Sequence, residues 1–312
     1  MIEIRHLVKR FGNLLAVNDL SFSVAPGEVL GFLGPNGAGK STTMKILTGF
    51  LRPSAGRVSI FGFDIEQDTI AAQRQLGYLP EGAPCYEEMT PRTFLQFVAA
   101  ARGLKGEHAK ARFQQVVETM SLQTVLDQRI ETLSKGFKRR VGLAQAIIHD
   151  PRVLILDEPT DGLDPNQKHQ VREMIRGLAK DKIVIISTHI LEEVTAVCTR
   201  AIIIARGQVV ADCEPQALEQ QSKYHNALTL VFEESVAAQD YQNLFAELEP
   251  VASVVALEGD NQLTLFPRQK DQSMLLDVSQ LVRDRKLPVT GISQEKGRLD
   301  EVFRAVTQEQ AS

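Results

Sequence analysis

Residues 2–24 alternate apolar and polar side chains, with Ile2 and Ile4, then Leu20, Phe22 and Val24, on either side of a break at Phe11-Gly12-Asn13. Period-two alternation around a turn predicts a small antiparallel sheet. A different pattern follows. Val29-Leu-Gly-Phe-Leu33 is a continuous apolar run that predicts a buried strand, and Val153-Leu-Ile-Leu156 and Ile183-Val-Ile-Ile186 repeat the pattern with a helical stretch between them. The latter two read as neighbouring strands of a parallel sheet covered on both faces. Ser41 to Thr48 reads as a helix ended by Gly49 and Pro53, and Arg57-Val-Ser-Ile-Phe61 with Gly62 as a strand and turn. Thr90-Pro91 predicts a helix start, hydroxyl as N-cap and proline at the first position, with Phe94, Phe97, Val98 and Ala101 on one face. A helical block is expected over about 86–150.

The periodicity lapses at Glu219-Gln-Gln-Ser-Lys223, which places a linker over 219–226 between a first domain, 1–218, and a second, 227–312. Beyond it, Leu228, Leu230 and Phe232 alternate, and Tyr241, Leu244, Phe245 and Leu248 have helical spacing. Val251 to Leu257 and Leu263 to Phe266 read as strands around Gly259-Asp-Asn261. Met274, Leu275, Val278, Leu281 and Val282 mark a helix, Leu287 to Ile292 a strand, and Leu299, Val302, Phe303 and Val306 a last helix. The order β-α-β-β-α-β predicts a small α+β domain of ferredoxin-like type.

Composition narrows the function classes. A net charge of -4 and a pI of about 5.9 over 312 residues leave no basic footprint for nucleic acid, so no nucleic-acid partner is expected. Cys85, Cys198 and Cys213 form no Cys-x-x-Cys pair, which argues against structural zinc and for small buried hydrophobes in a reducing compartment. There is no signal pattern, and Ala201-Ile-Ile-Ile-Ala205 is cut short by Arg200 and Arg206, far below spanning length. Work at a membrane would need a partner as anchor.

The chemistry is carried first by Gly34-Pro35-Asn36-Gly37-Ala38-Gly39-Lys40-Ser41, with Thr42 following, which fits Gly-x-x-x-x-Gly-Lys-Ser directly after the Val29–Leu33 run. Glycines let consecutive N–H groups turn inward as an anion nest, and the next helix points its positive end at the phosphates. Lys40 would reach the β- and γ-phosphates of a nucleoside triphosphate, and Ser41 the Mg2+. A second acidic strand end is needed to hold that ion, and Val153-Leu-Ile-Leu-Asp157 supplies it. Glu158 comes next, and adjacent side chains on a strand diverge. One carboxylate can therefore serve the metal while its neighbour reaches the attacking water as general base.

With these residues in place the chain resembles the ATP-binding subunits of ABC transporters, in order across about its first 215 residues. The resemblance implies an α/β P-loop cassette with a parallel-sheet core, an antiparallel β subdomain and a helical subdomain. Leu133-Ser-Lys-Gly-Phe137 is similar to the family signature, departing from Leu-Ser-Gly-Gly-Gln at Lys135 and Phe137. Ser134 and Gly136 remain, and a hydroxyl and an N–H before a helix make a further anion site. In this family that site serves the nucleotide of a second copy, so two chains sandwich two ATP molecules head to tail as a homodimer. Asp161-Gly-Leu-Asp164 resembles the loop crossing the seam, and His189 falls where the family places its γ-phosphate switch histidine. Phe11 lies where an aromatic ring stacks on adenine; a place in the core of the first sheet is the other reading. Tyr78-Leu-Pro-Glu81 matches the loop where the family usually has glutamine. Glu81 would strengthen Mg2+ binding, repel the γ-phosphate in its absence, or be a plain exposed loop carboxylate. Gly82 to Thr90 would face the membrane partner.

The resemblance implies an ATPase that powers a separate integral-membrane permease from the cytoplasmic face of the cell membrane, as a peripheral subunit. Two alternatives stand beside it: an ABC ATPase acting on ribosomes or DNA, and an importer subunit. About ninety residues without heptads separate Ser41 from Leu133, against the coiled coil of chromosome-maintenance ATPases, and there is one cassette where ribosome-acting members have two. Leu299-Asp-Glu-Val-Phe303 resembles the tail of cassettes serving export-type permeases. For the C-terminal domain, binding of a regulator or ion and stiffening of the dimer both stay open.

Overall fold

The computed structural model describes residues 1–82, 85–256 and 261–308. The chain forms two compact units, the first running Met1–Pro215 and the second beginning at Gln216.

The first unit opens with β1 (Ile2–Phe11) and β2 (Leu14–Val24), the hairpin expected from the alternation, followed by β3 (Val29–Leu33) and α1 (Lys40–Leu47). Then come β4 (Ala55–Ile60), β5 (Phe63–Asp64), α2 (Thr69–Arg74) and β6 (Leu76–Leu79). The helical part comprises α3 (Pro91–Ala101), α4 (Gly106–Thr119) and α5 (Lys135–Ile147). The unit closes with β7 (Val153–Asp157), α6 (Pro165–Leu178), β8 (Ile183–Thr188), α7 (Leu191–Val197), β9 (Arg200–Ala205) and β10 (Gln208–Cys213), and leads into α8 (Pro215–Gln221). One sheet has the order β2-β1-β4-β5 and is antiparallel; the other has the order β10-β9-β3-β8-β7-β6, parallel from β9 through β6. Every residue of β3, β7 and β8 is buried, which is why these strands read as unbroken apolar runs. Parallel strands deliver their carboxyl ends to one edge. The loops after Leu33, Leu79, Asp157 and Thr188 therefore share that edge, where ligands of such sheets bind.

Helix starts follow local chemistry. Thr90 caps α3 in a reciprocal capping box with Thr93, and Pro91 occupies the first turn. Ser134 caps α5 by accepting from Phe137 N, and Asp164 caps α6 by accepting from Gln167 N at 2.9 Å.

The second unit contains β11 (Leu228–Phe232), α9 (Gln242–Ala246), β12 (Val251–Ala256), β13 (Gln262–Pro267), α10 (Leu275–Asp284), β14 (Val289–Gln294) and α11 (Leu299–Gln308). Its antiparallel sheet has the order β12-β13-β11-β14, the ferredoxin-like arrangement. Leu228, Leu230, Phe232, Leu263 and Leu265 pack on one face against Phe245, Met274 and Val278 of the helices.

Two expectations shift. The stretch read as linker from Glu219 is helical to Gln221, because α8 starts at Pro215, a favoured first-turn residue, and the division into units falls just after it. The last strand runs Val289–Gln294 rather than from Leu287, since its pairing partner Phe232 meets Val289 and Leu228 meets Gln294. Leu257, Gly259 and Asp260 of the expected turn lie outside the described residues. All three cysteines are half-buried; Cys85 and Cys198 pack against the cassette core as small hydrophobes, and Cys213, at the end of β10, does not.

Candidate nucleotide-binding and hydrolysis site

The phosphate loop joins β3 to α1 and depends on glycine at two points. A Cβ at Gly34 would stand 2.5 Å from Ile204 O, and one at Gly39, where φ is 106°, would stand 2.5 Å from Ala16 O. Neither position admits a side chain. Lys40 is buried and donates to Gly34 O at 2.6 Å and Pro35 O at 3.2 Å, so the loop carbonyls cradle its ammonium. Burial lowers its pKa, opposed by the carboxylates of Glu158, Asp157 and Glu81. The three acids and the lysine thus form one electrostatic cluster.

Asp157 ends β7 opposite Ser187 of β8 and is 3% exposed. Burial raises its pKa, with Ser187 and Lys40 opposing and Glu81 and Glu158 adding to the rise. Burial, with the charges of Asp157 and Glu81, pushes Tyr78 up to about 12. A desolvated carboxylate crowded by two others is stabilised by a cation.

Glu158 leaves the strand with φ 49°, a left-handed conformation costly for a residue with a side chain. Its N–H donates to Ser187 O at 2.9 Å, which fixes the turn. The carboxylate is thereby aimed at His189, whose Nδ1 lies 3.0 Å from both Oε1 and Oε2. The histidine is held in turn. Thr188 Oγ1 donates to buried Glu193 at 2.8 Å and accepts from Ile190 N at 3.0 Å, bracketing His189 between two anchored residues.

Ser134 and Gly136 stand elsewhere, at the exposed N-terminus of α5 on the helical part. Gln167 of α6 lies over Gly136, where a Cβ would come within 2.8 Å of its side chain. Buried Arg139 donates to Asp161 O at 3.4 Å, tying α5 to the Asp161–Asp164 loop. Phe11 is 47% exposed with Lys9 Nζ 5.0 Å from its ring centre, so it is a surface ring and not a core residue. Glu81 is exposed, yet close enough to act on Lys40, Asp157 and Tyr78.

The Glu158–His189 contact links residues 31 apart in sequence, and no local pattern announces it. Glu193, Gln167 and Arg139 also escaped the sequence reading, and Tyr78 entered it only as the start of the Glu81 loop. Each supports the site through a contact that only the folded chain creates.

A phosphate loop between a parallel strand and a helix, with an acidic strand end at the same sheet edge, defines a P-loop nucleoside triphosphatase. The profile of the family described as ABC transporter matches residues 17–161. A relative named Nod factor export ATP-binding protein I, from Burkholderia orbicola, is 37% identical over 247 residues, 79% of this chain and 81% of that protein. An uncharacterized ABC transporter ATP-binding protein of Bacillus subtilis is 33% identical over 308 residues, 98% of this chain and 99% of its own length. A solved structure described as the ATP binding subunit of an ABC transporter is 32% identical with a TM-score of 0.65, covering 71% of this chain and 92% of that one. The chain belongs to the ATP-binding proteins of ABC transporters. It is an ATPase subunit of that family, built on the cassette fold expected from its motifs.

Proposed function

We propose that this chain energises export through a separate membrane permease, working at the cytoplasmic face as a head-to-tail homodimer. The name of the Burkholderia relative supports export. Among the described residues no helix is long and apolar enough to cross a membrane, which fits a peripheral subunit. Tyr86, 58% exposed, meets Phe94 and Phe97 edge-on in the segment expected to face the permease, and gives that partner an aromatic surface.

The observation that carries hydrolysis is the Glu158 carboxylate aimed by His189 beside Lys40 and Asp157. In this reading Glu158 takes a proton from water as its oxygen bonds to the γ-phosphorus and the bond to the β-phosphate oxygen breaks. His189 orients Glu158 and reaches the γ-phosphate. Lys40 and the amides of Gly34 to Thr42 bind the phosphates, and Phe11 stacks on adenine. Ser41, Asp157 and Glu81 form an all-oxygen donor set suited to Mg2+, and the crowding of carboxylates around Asp157 is what a divalent cation relieves. That ion, when bound, would neutralise charge on the phosphates. Ser134 and Gly136 would complete the site of the partner copy.

Glu158→Gln tests this reading. Turnover should fall roughly 10²- to 10⁴-fold while ATP still binds. Near-normal hydrolysis by the variant would remove Glu158 from the role, and ATPase stimulation by ribosomes or DNA without a co-purifying permease would overturn the transport assignment.

A further inference from the structure

The sheet of the C-terminal unit has a second face. Pleating sends Leu228, Leu230 and Phe232 toward the helices, and so sends Thr229 and Val231 the other way. Strand register extends this across the sheet. Val255 is paired with Thr264, Thr264 with Thr229, and Thr229 with Ser293, a row running through all four strands. On the next row Ser253 is paired with Phe266. This face bounds a cavity of about 790 Å³, a volume typical of small-molecule sites.

Its chemistry is uneven in a useful way. At one end, where β11 begins and β13 and β14 finish, three chain segments bring Lys223, Arg268, Lys270 and Arg298 to the cavity wall. Arg298 meets Glu295 at 2.9 Å, the one acidic residue among the described residues of the lining. The other three cations contact neutral groups: Lys270 donates to Gln221 O, Arg268 to Val251 O, and Lys223 lies 5.2 Å from the Tyr224 ring centre. Four cations thus stand at this end in an otherwise acidic chain, with the Glu295 carboxylate in the lining and that of Glu301 close by, accepting from Lys223 N at 3.1 Å. The floor carries hydroxyls along the row of Val255, Thr264, Thr229 and Ser293, with Val255 47% exposed at its edge, while the Phe266 ring packs 5.2 Å from that of Tyr224 beside the cationic end. In the middle, Thr229 Oγ1 is shielded from solvent and has no hydrogen-bond partner. A buried hydroxyl without a partner marks an unmet interaction.

The geometry points to a binding site on this bare sheet face for a small aromatic anion. Its carboxylate or phosphate would be held by Lys223, Arg268 and Lys270, its flat body would lie on Val255 and Phe266, and a polar substituent would meet Thr229. Charge complementarity selects the anion, and a volume of about 790 Å³ suits a small molecule.

Calorimetric titration of the whole chain with phenyl phosphate, benzoate and AMP tests the site. At least one should bind saturably with Kd below about 1 mM. Tighter binding of AMP, where Lys223→Glu/Arg268→Glu weakens it and so sets it apart from the phosphate-loop site, identifies a nucleotide as the source of the chemistry, and tighter binding of the other two a non-nucleotide acid. The double variant Lys223→Glu/Arg268→Glu should weaken binding at least about tenfold, the scale of one charge-assisted hydrogen bond, with ATPase activity unchanged. Val255→Asp, at an exposed position that does not threaten the fold, should weaken it similarly by repulsion. Absence of binding by all three probes overturns the proposal. So does binding that survives both variants, which would place the ligand elsewhere.

Discussion

At the scale of single residues, Glu81 and His149 show charge placed at opposite levels of exposure. Glu81 is exposed but acts on Lys40 and Asp157, so it adds a negative charge where the γ-phosphate would sit. Glu81→Gln should tighten Mg2+-free ATP binding by about 3- to 10-fold, the worth of one unit charge at short range in a partly solvated site. It should also raise the Mg2+ concentration needed for half-maximal ATPase activity. Nucleotide titrations in chelator and in Mg2+ separate the two effects, and equal affinity in chelator would assign Glu81 to plain solvent exposure. His149 is a structural counterpart. Burial lowers its pKa to about 4, aided by Arg102 and Arg112, while Nε2 bonds Leu76 O at 2.9 Å. Its Nδ1 is buried without a partner, so the second proton would enter an apolar, cationic pocket. Because the folded value lies below the unfolded one near 6.5, the unfolded chain binds the proton first. Its contribution to stability is complete above pH 6.5 and declines as pH falls toward about 4. Urea midpoints at pH 7 and pH 5 should show a smaller difference in His149→Gln than in the parent chain; an unchanged difference would exclude this residue from the acid sensitivity.

At the scale of elements, the start of α5 is the informative one. Ser134 is its N-cap, exposed, and sits beside Gly136 under Gln167 of α6. Ser134→Arg should cost the helix about 1 kcal/mol as a lost cap, leaving the fold intact. Its bulk should nonetheless prevent a second chain's nucleotide from docking. ATP-dependent dimerisation, followed by light scattering, should be lost while nucleotide binding to the same chain persists; unchanged dimerisation would refute the head-to-tail arrangement. This element was legible in the sequence because capping is local: Ser134 precedes the helix as Thr90 precedes α3, each with its reason in one turn of chain. The buried strands were legible for a related reason, since burial on both faces leaves uniform apolar runs at β3, β7 and β8. What stayed hidden depended on distant contacts. α8 is too short for its apolar side, Pro215 and buried Leu218, to repeat as a helical period, and the left-handed turn at Glu158 is set by Ser187 of a neighbouring strand. The same turn aims Glu158 at His189, so their contact was illegible although each residue carries its own sequence signal. The bare face of the C-terminal sheet was hidden too, because alternation reveals which side is buried and leaves the chemistry of the other side unread.

At the scale of the whole molecule, the proposed dimer makes a claim that no single chain can test. If each hydrolysis site takes Lys40, Asp157 and Glu158 from one copy and Ser134 from the other, two defects on different chains can be combined into one intact site. A Glu158→Gln chain supplies a sound Ser134, and a Ser134→Ala chain supplies a sound Glu158. In a mixed dimer one site collects both defects and the other collects neither. Random pairing makes about half the dimers mixed, each with one working site of two, so a one-to-one mixture of two inactive variants should recover about a quarter of parental turnover if the sites fire independently. A site built within one chain would recover nothing, because each copy would keep its own defect. Measuring ATPase activity of the variants alone and mixed after dissociation at low protein concentration therefore distinguishes the two architectures. Zero recovery, with mixed dimers demonstrated by differently tagged chains, would sink the shared site and leave the cassette as a self-contained ATPase.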